Sequence, residues 1–152
     1  MKNLTLVPNA VPTAQSAKRA DTPVPLHQLI DQLMTGLIPL TVARKSFFIN
    51  DVDREFCLQS DEHVLAFVLG NLLSGAVNGS ENVCIRVETV LNDECIQIRV
   101  RNNGSYFQNT VTGHFSQVVK AAKQLGGNIS IYNQQHQGTT ITLSIATEKV
   151  AC

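Results

Sequence analysis

The stretch from Val83 to Val100 most constrains what this chain can become. Two runs in which apolar and polar residues alternate flank Asn92-Asp93. With those two residues as a loop, Val90 pairs with Cys95. Ile85, Val87 and Thr89 then face the same side as Val100, Ile98 and Ile96, while Arg86, Glu88, Gln97 and Arg99 face the other. Strand side chains alternate with period two, so a single register collects the apolar ones on one face. A sheet built from this hairpin has one dry face and needs a cover.

Helical patterns supply that cover. Leu26, Leu29, Ile30, Leu33 and Leu37 recur at helical spacing, with Pro25 suited to a first helical position. Gly36 and Pro39 should end that helix, and Leu40 to Arg44 suits one further turn. Leu65, Val68, Leu69, Leu72 and Ala76 form a second stripe. Ser60 is its expected N-cap, Asp61 and Glu62 favour its first turn, and Gly79 its end. Phe115, Val118, Val119, Ala122 and Leu125 form a third stripe, closed by Gly126-Gly127. Further strands are expected at Ser46–Ile49 and Glu55–Gln59. A last hairpin places Ile129 and Ile131 against Ile141, Leu143 and Ile145, with its loop around Gln134 to Gly138. The expectation is an α+β fold: a two-layer α/β sandwich with a mixed, mostly antiparallel sheet of about five or more strands, covered on one face by three helices. Residues 1–22, rich in Ala, Pro, Thr and Asn without a sustained period, read as a flexible tail, and 23–148 as one domain.

The totals exclude several classes. The chain has 152 residues, 43% of them hydrophobic, enough for one core. Twelve basic and twelve acidic residues cancel, so no broad basic surface for nucleic acid is expected. Aromatic residues make up 5% and Trp is absent, which argues against base-stacking platforms. No run approaches the roughly 18 apolar residues of a membrane span, and no signal peptide is visible, so the expected location is cytoplasmic, without membrane insertion. Cys57, Cys84, Cys95 and Cys152 form no CxxC pair and sit near no His at metal-ligand spacing; they read as reduced structural thiols. His27, His63, His114 and His136 are scattered, and no nucleophile-and-base set stands at informative spacing.

The order of elements and three short segments resemble the Bergerat fold of the GHKL superfamily, and within it the ATP-binding domain of sensor histidine kinases. Asn71-Leu72-Leu73-Ser74-Gly75-Ala76-Val77 is similar to the N-box of these kinases. Val100-Arg101-Asn102-Asn103-Gly104 is similar to the segment of the G1 box that carries Asp-Asn-Gly. Ala121 to Ile131, followed by Gly138-Thr139, resembles the Gly-Gly helix end and the closing hairpin. The likeness spans about residues 24–146.

That resemblance implies a nucleotide site with four parts: an N-box Asn oxygen for Mg²⁺, a G1 Asp for the adenine amino group, glycines for close approach, and a Gly-rich lid for the phosphates. The chain departs from it at each part. Gly75 stands where the metal-ligating Asn is expected and Asn78 where a basic residue is expected near the phosphates. Asn102 replaces the G1 Asp, Tyr106 replaces the second G1 glycine, and only Ser105 to about Thr112 remain for the lid. Asn71, Asn102 and Gly104 stay in place. Asn71 reads either as a surviving nucleotide contact or as a helix residue satisfying nearby backbone, and Asn102 with Gly104 either as a remnant of the site or as turn chemistry.

The implied function is a histidine-kinase-like domain with an eroded site, without catalytic residues, metal or cofactor. It would act through a protein partner in two-component-type signalling. The alternative is an ATP- and Mg²⁺-dependent enzyme that phosphorylates a His or Ser on a separate protein, as in sensor kinases or anti-sigma-factor kinases. A third reading is a small-ligand sensor in the old pocket. The apolar stripe of the first helix suits a homodimer surface, and equally suits packing on the sheet.

Overall fold

The computed structural model describes residues 21–79, 81–92, 95–104, 115–134, 138–147 and 149–152. Its strands are β1 (Asp21–Pro25), β2 (Phe47–Asn50), β3 (Cys57–Asp61), β4 (Cys84–Asn92), β5 (Cys95–Asn102), β6 (Gly127–Gln134), β7 (Gly138–Ile145) and β8 (Lys149–Val150). Its helices are α1 (Leu26–Gly36), α2 (Ile38–Ala43), α3 (Glu62–Asn78) and α4 (Phe115–Gln124). Five strands form a mixed sheet in the order β2-β4-β5-β7-β6; β2 runs parallel to β4 and the other pairs are antiparallel. The helices pack on one face of it, so the α+β sandwich expected from the sequence is the fold observed.

The β4–β5 hairpin keeps the expected faces in a different register. Asn92 pairs with Cys95, and Val90 with Gln97 rather than with Cys95. The slip is two residues, and an even slip leaves every side chain on its own face. Ile85, Val87, Ile96, Ile98 and Val100 are accordingly buried. The closing hairpin sets Ile129 opposite Leu143 and Ile131 opposite Ile141, as their spacing predicts.

A second sheet was not legible in the sequence. β3 pairs antiparallel with both β1 and β8, in the order β1-β3-β8. β1 begins at Asp21, inside the stretch assigned to the tail, and buries Val24 completely. β8 lies just beyond the expected end of the domain at 148. β2 and β3 therefore belong to different sheets. The same arrangement corrects the reading of four reduced thiols. Val150 pairs with Cys57, which brings the chain end back to β3, and Cys57 and Cys152 form a disulfide with their Cα atoms 5.5 Å apart. Cys84 and Cys95 are free thiols. No local spacing rule detects two cysteines separated by 95 residues.

Helix ends follow from local chemistry. Asp61, not Ser60, is the N-cap of α3: its carboxylate accepts from the backbone N–H of His63 at 3.0 Å and Val64 at 3.3 Å. Ser60 stays in β3, opposite Thr22. Gly79 caps the other end, as expected. α3 is the central helix, burying Leu65, Val68, Leu69, Leu72, Leu73, Ala76 and Val77 against the sheet, α1 and α4. Each such leucine contributes about 1.5–3 kcal/mol by leaving water. The α1 stripe also goes inward, with Leu26, Leu29 and Ile30 buried in the same core.

Candidate functional site

The described residues singled out by the resemblance lie in the second half of α3 and at the end of β5, two elements that the Asn102–Ala76 bond joins. Asn71, Gly75 and Asn78 are four and three residues apart on α3, which aligns them along one face of the helix. Asn102 closes β5, and Gly104 follows two residues later. Tyr106 and the expected lid from Ser105 to Thr112 lie outside the described residues.

Asn102 is the best-defined member. It sits on the helix-facing side of the sheet, in a row with Ile85, Thr139 and Asn133, and is 2% exposed. Its Nδ2 donates to the carbonyl of Ala76 at 2.9 Å, and its Oδ1 accepts from the N–H of Gly104 at 2.6 Å. The two partners fix the orientation of the amide, because one can only accept and the other only donate. Ala76 is in the last turn of α3, where helix carbonyls run out of intrahelical donors. A side chain from the sheet thus helps cap the helix and, with its other end, shapes the turn after β5. An aspartate here would set negative charge against a carbonyl at the negative end of a helix, with no N–H to offer.

The neighbouring backbone is equally tight. Asn103 is tied to Cys84 twice: its Oδ1 accepts from the Cys84 N–H at 2.9 Å, and its own N–H donates to the Cys84 carbonyl at 3.3 Å. Gly138 packs directly on this turn with φ of 99°, and a Cβ there would fall 2.0 Å from the Asn102 carbonyl oxygen. Glycine at 138, the first residue of the Gly-Thr pair that resembles the family, is therefore required by close packing against β5 alone.

Asn71 and Asn78 are bonded within their helix. Asn71 Nδ2 donates to the Phe67 carbonyl at 2.7 Å, and Asn78 Nδ2 to Ser74 Oγ at 3.4 Å. Gly75 is buried and its carbonyl accepts from the Gly79 N–H at 3.1 Å. Among the described residues no group of three or more His, Cys, Asp or Glu is placed to hold a metal ion. Gly75 brings no side-chain oxygen to the position where the resemblance expects the Mg²⁺-ligating Asn.

At the first turns of α3, away from this junction, the groove between α3 and α4 is open. It has a volume of about 380 Å³ and is lined by His63, Val64, Phe67, Lys120 and Ala121. Sequence reasoning missed Phe67, an apolar ring left 44% exposed one turn before Asn71. It also missed the role of Asn102 as a tie, because a bond across 26 residues leaves no local pattern.

No protein-family model and no curated protein matches the chain. Solved structures do. The catalytic domain of the histidine kinase ThkA superposes with a TM-score of 0.68 at 17% identity, over 83% of this chain and 95% of that domain. The Acinetobacter baumannii histidine kinase AdeS gives 0.74 at 12% identity, over 84% of this chain and 68% of that one. ThkA in complex with the response regulator TrrA gives 0.69 at 18% identity, over 84% of this chain but 42% of the matched chain. The fold is that of the catalytic domain of histidine kinases. The chain matches nearly the full length of that domain and less than half of the ThkA chain in the regulator complex.

Proposed function

We propose that the chain is a histidine-kinase-like domain that has exchanged nucleotide chemistry for structure, and that it acts through contacts with a protein partner in two-component-type signalling. The double commitment of Asn102 carries this reading. The side chain at the position of the adenine-binding Asp caps α3 and holds the turn at Gly104. Gly75 supports it from the metal side, since glycine brings no side-chain oxygen to the N-box helix. With no side-chain oxygen at Gly75, Mg²⁺ lacks the ligand that the resemblance expects, so no phosphoryl-transfer step is assigned to these residues.

A protein partner is supported by the fold's company: ThkA, with the same fold, has been solved with a response regulator. The open α3–α4 groove with exposed Phe67 offers an apolar contact of the kind protein interfaces use. No helix of the described residues is long and apolar enough to cross a membrane. A cytoplasmic location belongs to the same reading, and the Cys57–Cys152 bond counts against it, because disulfides are rare in reducing compartments.

Calorimetric titration with Mg-ATP and Mg-ADP tests the proposal. The expected result is no Mg²⁺-dependent binding. Micromolar, Mg²⁺-dependent binding refutes it and favours the ATP-dependent phosphorylation of a separate protein.

A further inference from the structure

The face of the five-stranded sheet that the helices leave uncovered carries an unusual row. Register places Arg86 of β4 directly opposite Arg101 of β5, Arg101 opposite Thr140 of β7, and Thr140 opposite Tyr132 of β6. Like charges directly opposite on neighbouring strands repel. The next row adds a third guanidinium, Arg99, opposite Thr142. These side chains line two adjoining hollows of about 220 and 410 Å³, which share Arg101, Tyr132 and Thr140. The smaller hollow also reaches Asn102, Asn103, Gly138 and Thr139 at the end of the sheet, but the Asn102 side chain turns to the helix side, where it bonds the Ala76 carbonyl.

Its charges do not cancel. Three guanidiniums share two carboxylates: Arg86 pairs with Asp51, and Glu88, directly opposite Arg99, pairs with Arg101 at 3.4 Å. Arg99 donates to the neutral amide oxygen of Gln97 at 3.0 Å. Each guanidinium carries five N–H donors, more than one carboxylate contact uses, and presents them in a fork that matches a phosphate edge. The hydroxyls of Thr140 and Tyr132 stand in the same row, and the Tyr132 ring is 64% exposed. Opposed arginines flanked by hydroxyls are what a multivalent oxyanion needs, and a phosphate between Arg86 and Arg101 would use the N–H donors that their carboxylate partners leave over.

We propose that this trough binds a small phosphate-bearing ligand, its phosphate held between Arg86 and Arg101 with Thr140 beside it, and any organic part against Tyr132. The site is independent of the reading of the nucleotide pocket. The test is calorimetry of the full chain with inorganic phosphate, phenyl phosphate and acetate, at an ionic strength fixed with sodium chloride. Saturable binding of the phosphates, and none of acetate, is expected. Equal affinities identify free phosphate as the ligand, and tighter phenyl phosphate identifies a monoester. Arg101→Gln and Arg86→Gln should each weaken binding about tenfold, the loss of one charged hydrogen bond. Both side chains are on the solvent face, so circular dichroism should show both variants folded. Arg44→Gln removes the same charge from a position outside the trough, paired with Glu81, and should change nothing. Phosphate heats that do not saturate by about 10 mM overturn the proposal. So does an Arg44→Gln effect as large as that of Arg101→Gln, which would show that any surface arginine serves.

Discussion

Replacing Asn102 separates a structural tie from a ligand contact. Asn102→Ala removes the donor to Ala76 and the acceptor for Gly104, and leaves a carbonyl of the last turn of a buried helix without that donor. Orphaning one buried polar group costs about 1–3 kcal/mol, and the lost turn contact adds to it. A total near 2–3 kcal/mol lowers Tm by roughly 4–12 °C for a domain of this size. Asn102→Asp restores the family residue in shape, yet should be no better than Ala at neutral pH. Its carboxylate would face the Ala76 carbonyl and the negative end of α3. Burial and that carbonyl disfavour the ionised form, so the folded-state pKa of the new Asp lies above its unfolded value. Its penalty is then full above the folded pKa and shrinks as pH falls through it, because a protonated carboxyl can again donate to Ala76. Urea unfolding of the three proteins across mildly acidic to neutral pH measures this. An Asn102→Ala change below about 0.5 kcal/mol, or an Asp variant as stable as Asn at neutral pH, refutes the tie.

Three further outcomes follow from the geometry. Gly138→Ala forces a Cβ onto the Asn102 carbonyl at positive φ and should destabilise on the order of 2–4 kcal/mol, read by thermal melting. Asp61→Ala removes the α3 cap and should cost about 1 kcal/mol in the same assay, while Ser60→Ala leaves both cap bonds in place. Thiol titration of the unreduced protein in denaturant should find two free thiols, and Cys152→Ser should lose about 2–4 kcal/mol by opening the Cys57 loop.

What the sequence showed was periodic, and what it hid was long-range. The α3 and α4 stripes and the two hairpins announce themselves because apolar residues recur with the period of their element. The β4–β5 register differs from the expected one without harm to the faces, since the slip of pairing is even. β1 and β8 escaped because a five-residue strand with two prolines and a two-residue strand carry too little pattern, and their partner β3 is distant in sequence. The disulfide escaped with them. At the site, the substitution at Gly75 could be read directly against the resemblance. The role of Asn102 required its position in the sheet, since the Ala76 carbonyl is presented by a helix 26 residues away.

The central question is whether a nucleotide still engages the α3–β5 junction through a metal. Amide NMR of the isotope-labelled chain, titrated with a non-hydrolysable ATP analogue with and without Mg²⁺, observes that junction residue by residue. The predicted result is that the amides of Asn71, Gly75, Asn78, Asn102 and Gly104 respond identically in the presence and absence of Mg²⁺. Saturable, Mg²⁺-dependent shifts at these amides with a micromolar midpoint would contradict it.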